Sequence, residues 1–125
     1  MIDIPYARLL GLDIEHGEGA PVLVMPFDTG KLGRPGFLHG GAIGGLLEMA
    51  AVAALLQQLD DASAQWKPIN VTVDYMRGGR ELPTRARGRV TRLGSRIANV
   101  EAIAWQESPE KPIAAARMNI MIKRK

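Results

Sequence analysis

Positions 42–56 hold only apolar side chains and glycine, with one exception, Glu48. A helix that is apolar on every side has to be buried, at the centre of a folded domain or in a bilayer. A bilayer span needs about 20 apolar residues and tolerates a mid-span carboxylate poorly. This run is shorter and carries Glu48 near its middle, so no membrane association is expected. Residues 40–59 read instead as a central helix wrapped by protein, closed by the polar stretch 57–65.

A buried helix needs a surface to wrap it, and the flanking segments supply strands. Residues 20–27 are rich in Val and Leu with prolines near the ends, and read as one strand. Residues 68–76 alternate Ile69, Val71, Val73 and Tyr75 with Asn70, Thr72 and Asp74, the period of a half-buried strand. Two more follow at 85–93 and 97–106, joined by a tight turn at Gly94-Ser95, and a last strand at 113–122 follows a turn at Ser108-Pro109-Glu110-Lys111. Residues 5–12 read as a short helix ended by Gly11, and 28–38, with three glycines and Pro35, as a loop. A strand, a long apolar helix and then four strands is an α+β pattern, with an antiparallel sheet holding the helix in its concave face.

With 125 residues, 46% of them hydrophobic and 23% charged, the chain fits one compact domain spanning 1–125 with a sizeable core. The absence of cysteine excludes disulfides, zinc–thiolate sites and thiol nucleophiles. The first residues, with Asp3 and Pro5, lack a basic start followed by an apolar run, so a cytoplasmic location is expected. Arginines cluster at 77, 80, 85, 87, 89 and 92, which would suit nucleic acid if they converged on one face. Alternation of Arg85, Arg87 and Arg89 with Ala86 and Gly88 instead puts them on the solvated side of a strand. Two Phe, two Tyr and two Trp are too few for a base-stacking platform, so no nucleic-acid partner is expected.

The chemistry concentrates in the segment around His39-Gly40-Gly41. A glycine-rich approach to a helix start leaves backbone N–H groups free to bond an anion or a polarised carbonyl. Eight residues on, Glu48 lies among Leu46, Leu47, Met49, Ala50, Ala51 and Val52, where a carboxylate needs a partner or a purpose. One reading pairs it with an arginine from a neighbouring strand. The other makes it a buried catalytic acid whose pKa is pushed up by desolvation. About 12 Å of helix rise separates Gly40 from Glu48, so one substrate cannot meet both within one chain. If both act together, they come from two subunits with antiparallel helices, and the site forms twice per dimer.

The segment Leu38-His39-Gly40-Gly41, with Glu48 seven residues after Gly41, resembles the signature of hotdog-fold thioesterases of the phenylacetate-degradation and 4-hydroxybenzoyl-CoA group. The order of elements, the 71–74 stretch and the 92–96 stretch are similar to that family as well. The resemblance implies a hotdog fold, an acyl-CoA substrate with an aryl or medium-chain acyl group, and no cofactor beyond the coenzyme A of the substrate. It implies a homodimer at least, with a homotetramer the expected assembly. Gly40 would polarise the thioester carbonyl. Glu48 would act from the opposite subunit, as general base or as nucleophile. His39 would order the loop, and Gly41 and Gly33 would line the substrate. Arg77, Ser95 and Arg96 would meet the phosphates of coenzyme A, or stand as ordinary surface residues.

Two positions depart from the family pattern. Gly33 stands where relatives carry Asn or Gln, and Val52 where one branch carries Thr. They favour an alternative, a non-catalytic acyl-CoA or acyl-carrier binding protein of the same fold. A hydratase would pair its acid with a helix histidine, and no histidine follows His39.

Overall fold

The computed structural model describes residues 4–59, 61 and 63–124. Asp3 and part of the polar stretch 57–65 therefore lie outside the described residues.

Helix α1 (Pro5–Leu10) opens on a proline, whose fixed φ and missing N–H suit a first turn. It closes on Gly11 at φ 70°, with the Gly11 and Leu12 N–H groups donating to the carbonyls of Arg8 and Ala7. Strands β1 (Asp13–Glu15) and β2 (Val22–Met25) follow. After a 3-10 turn at Thr29–Lys31 comes the long helix α2 (Gly40–Gln58), and then β3 (Gln65–Tyr75), β4 (Thr84–Leu93), β5 (Ile97–Trp105) and β6 (Ala114–Lys123). The strands form one antiparallel sheet in the order β1-β2-β4-β5-β6-β3. A sheet curved around one long helix is the hotdog arrangement, as the sequence implies. The strand at β1 was not expected: its three residues, Asp13-Ile14-Glu15, are too few to show a period.

The helix sits close to the sheet because the strands under it carry small residues. Ala98, Val100, Ala102 and Ala104 of β5 and Ala114 and Ala116 of β6 are all buried. The closest approach is at Gly88 of β4, where a Cβ would lie 2.5 Å from the Ala50 carbonyl oxygen and 2.9 Å from the Ala51 Cα. On the other face of β4 the arginines are solvated and paired. Arg85 bonds Glu15 at 3.0 Å and Arg89 bonds Glu101 at 3.1 Å, while Arg87 Nε donates to the Ala20 carbonyl. Arg77 and Arg80 lie apart from these, in the connection between β3 and β4.

Helix α2 is long and apolar enough to cross a bilayer by length and composition, yet eleven of its residues are buried inside the fold. It is not buried all round, which corrects the sequence reading. Gly41 is exposed, and Gly40, Gly44, Gly45 and Glu48 are only half-buried. The positions 41, 44, 45 and 48 recur at three- and four-residue steps and form one stripe along the helix. Glycine reads as apolar in a composition count but has no side chain that requires burial, so the face it occupies can stay open. Beside the helix, the edge strand β3 and the residue after it expose Ile69, Val71, Tyr75 and Met76, each 41–54% accessible.

Candidate functional site

The loop before α2 is built on a buried lysine. Lys31, 6% exposed, donates from Nζ to Asp28 Oδ2 at 2.6 Å and to the Pro26 carbonyl at 2.8 Å. The hydrogen bond from Lys31 holds the Asp28 carboxyl below the usual carboxylate range. The Lys31 carbonyl then accepts the His39 N–H at 2.7 Å, and Leu38 donates to the Gly79 carbonyl at 2.9 Å. Between these anchors the chain folds back at Leu32 and Leu38, with Gly33 N–H bonded to the Phe37 carbonyl. Gly33 is packed on the approach to the helix: a Cβ there would meet the His39 Cα at 3.1 Å.

The N–H groups of His39, Gly40, Gly41 and Ala42 precede the first regular helix bond, and three of these four find a partner locally, His39 on the Lys31 carbonyl. His39 is the N-cap, and its Nδ1 accepts the Gly41 N–H at 2.9 Å. With Nδ1 accepting, the imidazole presents its N–H at Nε2. The Ala42 and Ile43 N–H groups both point to the His39 carbonyl, at 3.0 and 3.4 Å. Among the described residues, Gly40 alone of these four donates its N–H to nothing. It lines a groove of about 640 Å³ together with Gly33, Phe37, His39, Tyr75 and Arg77. The positive end of the α2 dipole adds to that single free donor.

Two tyrosines border the open stripe. Tyr75, at the end of β3, donates its hydroxyl to the Gly40 carbonyl at 2.8 Å. Its ring end packs against Gly40 and Gly44, 3.4 and 3.3 Å from where a Cβ on each would be. Tyr6 of α1 leans over Gly45, where a Cβ would meet its hydroxyl at 2.5 Å. Glu48 follows on the same stripe one turn later, half-buried and without an ion pair among the described residues. The arginine partner weighed from the sequence is absent there.

The structure thus brings Gly33, His39, Gly40 and Arg77 to one groove. Gly41 faces a second depression of about 520 Å³ with Tyr6, Lys31 and, again, His39. Glu48 lines neither groove. Ser95 and Arg96 form the β4–β5 turn at the other end of the sheet from Gly40, roughly 20 Å along the strands at ~3.3 Å per residue. Within one chain they cannot share the Gly40 groove. Sequence reasoning did not single out Lys31, Tyr6 or Tyr75. For Tyr75 the signal was its place in the alternation of Ile69, Val71 and Val73, a face that the fold leaves largely exposed beside the helix; for Lys31 the only hint was its three-residue spacing from Asp28. Among the described residues no group of three or more His, Asp or Glu side chains is placed to hold a metal ion.

Comparison with known proteins places this geometry in a family. The model of the Thioesterase superfamily matches residues 35–113. No curated protein matches the chain. Among solved structures, a Chromobacterium violaceum protein is 32% identical with a TM-score of 0.78, covering 97% of this chain and 85% of its own. A phenylacetic acid degradation-related protein from Ralstonia eutropha is 22% identical with a TM-score of 0.84, covering 96% of this chain and 92% of its own. A Bacillus halodurans protein solved with CoA is 18% identical with a TM-score of 0.84, covering 95% of this chain and 78% of its own. The last two likenesses are likenesses of fold.

Proposed function

The chain belongs to the thioesterase superfamily, and from that premise we propose that it hydrolyses acyl-CoA thioesters with an aryl or medium-chain acyl group. The observation that carries this reading is the lone free N–H of Gly40 at the mouth of α2, with a carboxylate, Glu48, on the open stripe of the same helix. A thioester carbonyl bonded by the Gly40 N–H gains stabilisation as negative charge builds on its oxygen. Glu48 takes a proton from water, the water oxygen adds to the carbonyl carbon, and the C–S bond breaks to release the thiolate and the carboxylic acid. In the alternative sequence Glu48 itself attacks, the thiolate leaves, and water hydrolyses the resulting anhydride. Coenzyme A enters as part of the substrate, and the scheme needs no resident cofactor.

Both groups can act on one thioester only across a subunit interface, because about 12 Å of helix rise lies between them. The reading therefore includes a homodimer at least, and a homotetramer built from two such dimers. Support comes from the exposed apolar residues of β3 beside the uncovered stripe of α2, a surface that a second copy would bury. Gly40 of one subunit would then face Glu48 of the other.

A second reading, binding without turnover, is favoured by Gly33, which supplies no polar side chain beside His39 and whose Cβ position is tight against the His39 Cα at 3.1 Å. One experiment separates the two. Thiol release from a panel of aryl- and acyl-CoA thioesters is measured for the wild type and for Glu48→Gln. Turnover that falls by about 100-fold or more in the variant supports hydrolysis through Glu48. Tight CoA binding without turnover by either protein selects the binding reading.

A further inference from the structure

The groove at Gly40 does not end at Phe37. Phe37, Arg77 and Gly78 also line an adjoining groove of about 360 Å³, which continues past Arg80, Gln106 and Lys111. The guanidinium carbons of Arg34 and Arg80 both lie over the Phe37 ring, 4.9 and 4.7 Å from its centroid. Two like charges are therefore held less than about 10 Å apart, close to one Debye length at physiological salt. The loop carrying Arg80 is fixed. Gln106 accepts the Arg80 N–H at 2.9 Å and donates to its carbonyl at 3.0 Å, and also donates to the buried Thr84 hydroxyl. The Phe37 ring packs where a Cβ on Gly78 would be, at 2.5 Å. Among the described residues none of Arg34, Arg77 and Arg80 has a carboxylate partner, whereas Arg85 and Arg89 on the sheet do. The one acid in the adjoining groove, Glu107, is 3.6 Å from Lys111. Cationic side chains on a fixed scaffold with no counter-charge of their own make a site for a polyanion.

We propose that Arg34, Arg77 and Arg80, gathered about Phe37, hold the phosphate groups of a nucleotide thiol carrier. The carrier's reactive end then lies in the Gly40 groove of the same subunit. This inference rests on the thioesterase reading and assigns the part of the substrate that the reading leaves open. It moves phosphate recognition from Ser95 and Arg96, at the far end of the sheet, to the loop beside the helix N-terminus. Guanidinium forks bind phosphate oxygens in pairs, and three of them suit a carrier with a diphosphate and a further monophosphate. A carrier lacking phosphates would engage only the Gly40 end. The adjoining groove is of a size for a small molecule, so the free nucleotide carrier, and not a carrier protein, is the assigned occupant.

The test uses the exposed pair, Arg34→Gln with Arg80→Gln, in the full chain. Affinity for 3′,5′-ADP and for CoA is measured by calorimetry. In parallel, kcat/KM is measured for one acyl group carried on CoA and on N-acetylcysteamine. The expected result is a loss of nucleotide affinity of about 10-fold or more, with the CoA-over-N-acetylcysteamine preference falling by a similar factor. Arg80→Lys, which keeps the charge but not the fork or the stacking on Phe37, should fall between the wild type and Arg80→Gln. If that variant melts with the wild type and the double variant does not, the single change Arg80→Gln replaces the pair. Unchanged nucleotide affinity, or equal losses for both carriers, overturns the proposal. Full hydrolysis by Glu48→Gln would instead remove the catalytic role of Glu48 and leave the nucleotide measurement standing.

Discussion

Replacing Gly88 by alanine tests how α2 is seated, because this is where the helix backbone meets the sheet most closely. A methyl group at Gly88 would lie 2.5 Å from the Ala50 oxygen, 2.9 Å from the Ala51 Cα and 2.9 Å from the Ala54 Cβ. Ordinary contact lies near 3.5–4 Å, so the helix must lift by roughly 1 Å or the strand must bend. Neither is cheap, since two of the three atoms are backbone, the third is bonded directly to it, and the interior is close-packed. Overpacking of this kind costs about 1–3 kcal/mol. For a chain of this length each kcal/mol lowers the melting temperature by about 4 °C, so a drop of roughly 4–12 °C is expected. The assay is thermal unfolding followed by circular dichroism at one fixed protein concentration, because assembly would shift the midpoint. Gly17→Ala is the control, since nothing lies within 4 Å of a Cβ there. A Gly88→Ala protein that melts within a degree of the wild type would refute the reasoning, because the helix would then not rest on β4 as described.

The other predictions concern charge and assembly. The hydrogen bond from Arg85 holds the Glu15 carboxyl below its usual value of 4.5. A depressed carboxyl pKa gives stability that is present above 4.5 and is lost as pH falls through the lower folded value. The difference in urea midpoint between wild type and Glu15→Gln should therefore be visible at neutral pH and vanish in acid below 4.5; a difference that grows on acidification would contradict the pairing. On the edge strand, Val71→Lys should leave the fold intact and weaken self-association, read as a shift towards monomer in sedimentation velocity at micromolar concentration. If the wild type is itself monomeric there, the shared-site scheme fails. Hydrolysis through Glu48 and phosphate recognition through Arg34 and Arg80 have the kinetic tests given above.

The architecture was largely legible because its strongest signal is local. Fifteen positions without a charged side chain except Glu48 can fold only as a core helix, and the alternating runs after it can serve only as the wall. What escaped notice depended on contacts distant in sequence. Gly88 looks like a spacer between two surface arginines until Ala50 and Ala51 are seen resting on it. The three residues of β1 gain their identity from pairing with β2, which no local period records. The crossover that sends β3 to the far edge, beside β6, is likewise set by the helix lying between β2 and β3 in the chain.

For the site, residue type was readable and environment was not. Glu48 stood out because its neighbours are apolar, and the same neighbours suggested deep burial. Burial depends on which residues share its face, and at three- and four-residue spacing those are Gly41, Gly44 and Gly45. A stripe of glycine leaves the carboxylate accessible while Leu46, Leu47 and Val52 vanish into the core. Gly44 and Gly45 let Tyr75 and Tyr6 lie close to the helix backbone, and a Cβ at Gly45 would displace the Tyr6 ring. The two tyrosines and the free Gly40 N–H thus delimit an open face that the chain itself does not cover. A substrate or a second copy that reaches Glu48 has to come from that side, which is why the half-buried state of Glu48 bears on mechanism more directly than full burial would.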